Sequence, residues 1–424
     1  VTNRGGAPVW KPRVAKHRPT ILQVIPRLDA GGAELSVVEI ADAVVRAGGR
    51  ALVLAEPGRL AAGIEAAGGE VVPFPAATKN PLRILANAGR IARLAAGEGV
   101  DLIHARSRAP AWSALIAARR ARVPFVTTYH GAYNETNAAK RLYNSVMARG
   151  DVVIANSRYT ARLIADRYGT PPERLVVVHR GVDTAVFDPA RIAPERAAAL
   201  RESWGVGPGQ RVILQAARLT RWKGQGVLID AAARLKGDGR LGDAVVVLAG
   251  DAQGRDSYVD ELRSRIAGLG LKDHVRLVGH VADMPAAYLA AHVTVVASIE
   301  PEAFGRTAIE AAAVAGPVVA TDIGAPPETV LAAPAAGADA MTGWLIPPGD
   351  PEALAERLAE ALALAPTARS GVGQRARRHV LDKFSVAAMQ QGTLGVYDRL
   401  LATGLGARFR ADTAHPGSAN VSPQ

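Results

Sequence analysis

Two carboxylates, Glu302 and Glu310, stand eight residues apart and bracket Phe304-Gly305 in the stretch EPEAFGRTAIE. The run His292–Ser298 before it has the composition of a short buried strand, and Arg306–Val314 after it has helical composition. The stretch therefore reads as a strand-to-helix junction. Gly305 at the helix start lacks a Cβ, so a ligand can approach the unpaired N–H groups of the first turn. Those groups and the helix dipole suit an anion such as a diphosphate. Glu302 in the loop and Glu310 in the second turn can face one ligand across the junction, as acceptors for sugar or ribose hydroxyls. The bland alternative is a pair of solvated carboxylates at a helix start.

Other stretches carry chemistry of the same kind. In RLTRWKG, Arg218 and Lys223 follow the apolar run Val212–Ala216 and open a helix. A guanidinium fork and an ammonium point charge at a strand end suit a diphosphate. Gly31-Gly32 comes directly after the first apolar run, with Glu34 in the helical turn that follows; paired glycines there permit close backbone approach. His130, in TTYHG, sits at the end of a β-like run, as does Gly250 in Gly250-Asp251. Asn156-Ser157 closes a further run, where helix capping is reason enough for it. Gly371-Val-Gly373-Gln-Arg-Ala376 fits G-x-G-x-x-A, but no strand precedes it, so it is no dinucleotide site. No Asp-x-Asp occurs in the chain.

In combination these stretches resemble the retaining glycosyltransferases of family 4. The E-x-F-G element with its second acid is matched at Glu302, Phe304, Gly305 and Glu310, and R-L-x3-K-G at Arg218, Leu219, Lys223 and Gly224. The likeness runs over roughly residues 20–400. It implies a GT-B fold, an α/β architecture of two Rossmann-like, doubly wound domains facing each other across a cleft. It implies a nucleotide-diphosphate sugar as co-substrate, with no cofactor and no metal. By the resemblance, Arg218, Lys223 and the amides of Gly305, Arg306 and Thr307 hold the diphosphate, and Glu310 holds the ribose. Glu302 holds hydroxyls of the transferred sugar, and His130 faces that sugar. Gly250 and Val281 line the nucleotide site, while Gly31 and Gly32 lie near the acceptor. The family's P-N-G-V-D turn is replaced by His179-Arg180-Gly181-Val182-Asp183, which offers Arg180 as a cation for an acidic acceptor. Transfer is expected on one face of the sugar, the leaving phosphate helping to deprotonate the acceptor hydroxyl. Two alternatives belong to other classes: a sugar-nucleotide 2-epimerase on the same fold, and a non-catalytic scaffold that retains it.

The elements that must position these residues alternate. Short apolar runs recur at Thr20–Ile25, Ala51–Leu54, Glu70–Phe74, Asp101–Ala105, Pro124–Thr128, Val152–Ala155 and Leu175–Val178, with helical segments between. Turn formers at Val186–Ile192 read as a linker. The alternation then restarts at Val212–Ala216 and continues to Gly343–Ile346. Such a pattern predicts two parallel, doubly wound sheets. The expected division is a disordered basic arm over 1–18, an acceptor-binding domain over 19–190 and a donor-binding domain over 191–384. A helix over 385–402 crosses back to the first domain, and a disordered tail fills 403–424.

Composition narrows the partners. The 424 residues contain no cysteine, which excludes disulfides and thiolate metal sites, and the net charge is +12. Residues 1–205 hold 29 Lys and Arg against 17 Asp and Glu, whereas 206–424 hold 22 of each, so the whole excess lies in the first half. Aromatics make up only 4% of the chain and no nucleic-acid motif is present, so an anionic membrane surface or acceptor fits this field better than nucleic acid. No signal-like apolar run follows the N-terminal basic residues, and no uncharged stretch approaches the ~20 residues of a membrane span. The expectation is a cytoplasmic protein, peripheral on the inner membrane, acting on a lipid-linked or anionic cell-envelope glycan such as a lipopolysaccharide core.

Overall fold

The computed structural model describes residues 18–29, 31–133 and 135–414. It divides into two compact units, with boundaries between Val178 and His179 and again between Val386 and Ala387. The first unit holds seven strands: β1 (Thr20–Arg27), β2 (Arg50–Glu56), β3 (Glu70–Pro73), β4 (Leu102–Ala105), β5 (Phe125–Tyr129), β6 (Val152–Ala155) and β7 (Leu175–Val177). They form one sheet in the order β3-β2-β1-β4-β5-β6-β7, and every pairing is parallel.

Parallel strands must be covered on both faces, which is why these segments are apolar at consecutive positions rather than at alternate ones. In β2, Ala51, Val53 and Ala55 enter one core, while Leu52 and Leu54 enter the core on the opposite face. The register Ile21↔Ala51 and Leu22↔Leu52 aligns β1 with the same alternation.

The second unit repeats the plan with β8 (Val212–Ala216), β9 (Val245–Ala249), β10 (Val275–Gly279), β11 (Val293–Val296), β12 (Val318–Thr321) and β13 (Gly343–Ile346). These six parallel strands run in the order β10-β9-β8-β11-β12-β13. Val245, Val247 and Ala249 of β9 face one core, and Val246 and Leu248 face the other. In both units the strand order reverses beside the first strand, between β1 and β4 and between β8 and β11. Such switch points leave a crevice at the carboxyl ends of the strands, where α/β sheets bind ligands.

Two sequence expectations are corrected. The segment expected to close the first domain and link to the second, from His179 to Ile192, belongs to the second unit. Val182, Phe187 and Ile192 are buried in its core, and Val182 N donates to the Phe384 carbonyl at 2.8 Å. The tail from residue 403 is not all disordered, because Leu405–Ala414 is a helix. Its Leu405 and Phe409 are buried in the first unit's core, and Asp398 caps its start by accepting from Leu405 N and Gly406 N at 2.8 Å each. The remainder of that tail, 415–424, and arm residues 1–17 lie outside the described residues. In keeping with the missing strand, Gly371–Ala376 lies within the helix Pro366–Lys383, where a Cβ on Gly373 would collide with the Ala315 carbonyl. That glycine serves helix packing.

Candidate active site

The second unit gathers most of the predicted donor residues at its switch point. Arg218 and Lys223 follow β8; Ser298, Glu302 and Gly305 follow β11. The two loops meet through an ion pair, Lys223 Nζ to Glu302 Oε1 at 2.6 Å. Glu302 is only 8% exposed, and its carboxylate also accepts from the Ser298 hydroxyl. The approach of the loops depends on glycine. Gly224 has φ +72°, and a Cβ there would collide with the Ala297 carbonyl at the end of β11. Glu302 is further fixed by its backbone, whose carbonyl accepts from Ala325 N at 2.9 Å beside Gly324.

Gly305 adopts φ +76° as the residue preceding the helix Arg306–Ala313, a left-handed conformation that favours glycine. Thr307 in the first turn donates to the Ala216 carbonyl at 3.2 Å, tying this helix to the end of β8. Glu310 is held from two sides, by Arg306 Nε at 3.1 Å and by the Tyr288 hydroxyl at 3.0 Å. Burial and the neighbouring Glu310 push the Tyr288 hydroxyl well above the usual tyrosine range, so it stays a protonated donor. Arg218 is exposed and has no ion-pair partner among the described residues.

The other donor-side predictions lie along the same edge. Gly250 N donates to the Gly279 carbonyl at 2.7 Å, and a Cβ on Gly250 would collide with the Ala217 carbonyl. Close packing of the ends of β8, β9 and β10 therefore accounts for this glycine. Val281 follows β10, is 9% exposed, and lines a cavity of about 760 Å³ with Leu200, Trp204, His280 and Asp283. This cavity does not include Glu302 or Lys223.

In the first unit, Gly31 precedes the helix Gly32–Arg46 with φ +129°, and both glycines follow β1. His130 follows β5 and is half-buried; its carbonyl accepts from Asn156 Nδ2 at 3.3 Å. Ser157 caps the helix Arg158–Tyr168, accepting from Thr160 N at 3.0 Å. Arg180, offered by the sequence as a cation for an acidic acceptor, belongs to the second unit. Its neighbour His179 pairs with Glu328 at 2.9 Å and packs against Phe304.

The sequence reading missed a buried polar group at the first unit's own switch point. Arg106 follows β4, is 3% exposed, and donates to Ser36 Oγ at 2.5 Å. Burial lowers its pKa to about 10. His104 bridges the Tyr397 hydroxyl and Thr128 Oγ1, at 2.7 Å each. The only signal in the sequence was polar residues inside an apolar run. Ser298 was equally hidden, as a small residue at a strand end. Among the described residues, no three His, Asp or Glu side chains converge as a metal site.

The comparison with known proteins agrees with this geometry. The profile of Glycosyltransferase Family 4 matches residues 30–186, and that of Glycosyl transferases group 1 matches 197–379. A D-inositol 3-phosphate glycosyltransferase of Kineococcus radiotolerans is 32% identical, the match covering 70% of this chain and 71% of that protein. The chain belongs to glycosyltransferase family 4. A crystal structure of a glycosyltransferase from Rickettsia africae has 33% identity and a TM-score of 0.82, covering 91% of this chain and 99% of that one. The HepE protein of Anabaena in complex with UDP-glucose has 28% identity and a TM-score of 0.73, covering 90% of this chain and all of that one. The two parallel-sheet units are thus those of a GT-B glycosyltransferase, and sugar transfer is the activity of the family to which the chain belongs.

Proposed function

We propose that this glycosyltransferase moves a sugar with retention of configuration, without a metal, from a uridine diphosphate sugar to a hydroxyl of an anionic acceptor. The observation that carries the reading is the Lys223–Glu302 pair beneath the Gly305 helix start, at the switch point of the second sheet. The diphosphate is held by Arg218, Lys223 and the first-turn amides of Gly305, Arg306 and Thr307, which offset the charge that develops as the bond to the sugar breaks. Glu310, held by Arg306 on one oxygen and Tyr288 on the other, presents its remaining lone pairs to the ribose. Glu302 keeps one oxygen on Lys223 and turns the other toward sugar hydroxyls. Gly250 and Val281 border the base and ribose. His130, Gly31 and Gly32 serve the sugar and acceptor side, and Arg180 supplies a further cation. Uridine is favoured because the Anabaena neighbour was solved with UDP-glucose.

The acceptor is a lipid-linked or otherwise anionic glycan, such as a lipopolysaccharide core precursor, met at the cytoplasmic face of a membrane. The excess positive charge of the first half supports this reading. A second reading has its own support: the curated relatives carry the name D-inositol 3-phosphate glycosyltransferase, so a small phosphorylated polyol meets the same demand for negative charge.

A thermal-shift comparison of UDP, GDP and ADP, with and without EDTA, tests the donor. UDP alone should raise the melting temperature, in EDTA as well as without it, and Lys223→Ala should lose the shift. A response to another nucleotide only, or one abolished by EDTA, overturns the assignment. Retention is tested by NMR of the product's anomeric configuration, against an inverted product or a free, epimerised sugar nucleotide.

A further inference from the structure

We propose that the first unit docks on an anionic lipid bilayer through one face, an apolar groove set in a strongly basic stretch of the chain that includes Lys79, Arg83, Lys140 and Arg149. The groove lies between the start of the helix Pro81–Gly97, the helix Arg108–Ala121 and the short helix Ala138–Asn144. It is lined by Ile84, Leu85, Trp112, Leu142 and Tyr143 and presents almost no polar surface. Leu85 is 49% exposed and Leu142 59%. Scattered single exposed leucines are ordinary, but large apolar side chains gathered round one groove mark an interaction surface.

The charge around the groove selects the partner. Residues 76–149 carry twelve Lys and Arg against three Asp and Glu. Lys79 and Arg83 flank Pro81 and Leu82, and Lys140 follows Ala139. The Arg149 guanidinium lies 5.1 Å from the centre of the Trp112 ring. None of these four cations forms an ion pair among the described residues. The indole N–H of Trp112 donates to the Tyr143 carbonyl at 3.1 Å, which holds the short helix against its neighbour. Leucines projecting between uncompensated cations match a bilayer interface, where acyl chains receive the apolar tips and anionic headgroups receive the charge. A protein partner would have to present a complementary apolar ridge between acidic residues. A bilayer supplies both from any direction, and the reading that the acceptor is met at a membrane, on which this inference rests, favours it.

The test is co-sedimentation of the full chain with phosphatidylcholine vesicles, with and without phosphatidylglycerol, alongside the UDP thermal shift. Binding is expected only with phosphatidylglycerol, falling steeply with salt. Leu85→Asp/Leu142→Asp and Lys79→Gln/Arg83→Gln should each weaken it about tenfold or more. The UDP response should be unchanged in both, since these side chains are exposed and lie outside the second unit. Equal binding to both vesicle types, or variants that bind like the parent, overturns the proposal. So does self-association of the parent in the absence of lipid that Leu142→Asp abolishes, since the groove would then be a protein interface. If vesicle binding behaves as expected while UDP gives no shift, the docking surface stands and the donor assignment fails.

Discussion

Lys223 and Glu302 are 79 positions apart in sequence and 2.6 Å apart in the fold, so each is the main reason the other can be buried. Removing one partner leaves a charge without compensation; Lys223→Met or Glu302→Gln should each cost about 2–4 kcal/mol in denaturant unfolding. The double variant should cost less than the sum, and additive costs would show that the pair is not coupled. Either single change should also slow sugar transfer by about 10²-fold or more, because a preorganised charge is lost where the diphosphate leaves. His104 gives a second residue-level prediction. Burial, with Arg106 adding to it, holds the His104 imidazole well below the usual histidine range, so the folded state keeps it neutral. The unfolded chain takes up that proton as pH falls through about 6.5. The unfolded state then binds more protons, and stability present above that pH is lost below it, by at most about 1.4 kcal/mol per pH unit. His292 and His379 are shifted the same way but are common to parent and variant. His104→Asn should therefore flatten the difference in stability between pH 7.5 and 5.5, measured against the parent, and an unchanged slope would rule out this origin.

The strands were legible from sequence because parallel strands covered on both faces leave continuous apolar runs, as in Val152–Ala155, Val212–Ala216 and Gly343–Ile346, each found as read. Three elements were not. Ala61–Ala66 and Ala138–Asn144 are helices of six and seven residues, too short for apolar periodicity to show, and Leu405–Ala414 places Leu405 and Phe409 in the core, too few to show as a pattern. The edge between the units was missed because Val182 and Phe187 stand among turn formers that look like a linker. The Glu302–Gly305–Glu310 junction was legible because strand, turn and helix are contiguous there. The partners of its carboxylates, Lys223, Ser298 and Tyr288, come from other elements, and no spacing rule reaches them. Gly224 shows what such an element demands. With φ +72° and the Ala297 carbonyl against the site of a Cβ, Gly224→Ala combines left-handed strain with a backbone collision. It should cost about 3 kcal/mol or more and weaken UDP binding, because the Lys223 loop must withdraw from β11. A variant of parental stability and UDP affinity would show that the loop tolerates displacement.

Each sheet carries its own pair of cores, one on each face, so each unit has what it needs to fold as a cooperative body. The proposed donor groups that touch diphosphate and ribose all come from the second unit, whereas the unpaired cations around the apolar groove all come from the first. Ligand linkage can therefore be assigned to one body of the chain. In scanning calorimetry, two transitions are expected, each marked by a variant: Gly224→Ala should lower the second unit's, and Asp398→Ala, which removes the cap of Leu405–Ala414, should lower the first unit's. UDP at about a hundred times its dissociation constant adds about 2.7 kcal/mol to whatever binds it, equivalent to about 5–10 °C for a unit of this size. That shift should fall on the transition marked by Gly224→Ala and leave the one marked by Asp398→Ala in place. A single transition moved equally by UDP and by both variants would mean that the chain melts as one cooperative body, and that neither the donor linkage nor the acid loss traced to His104 can be assigned to one unit.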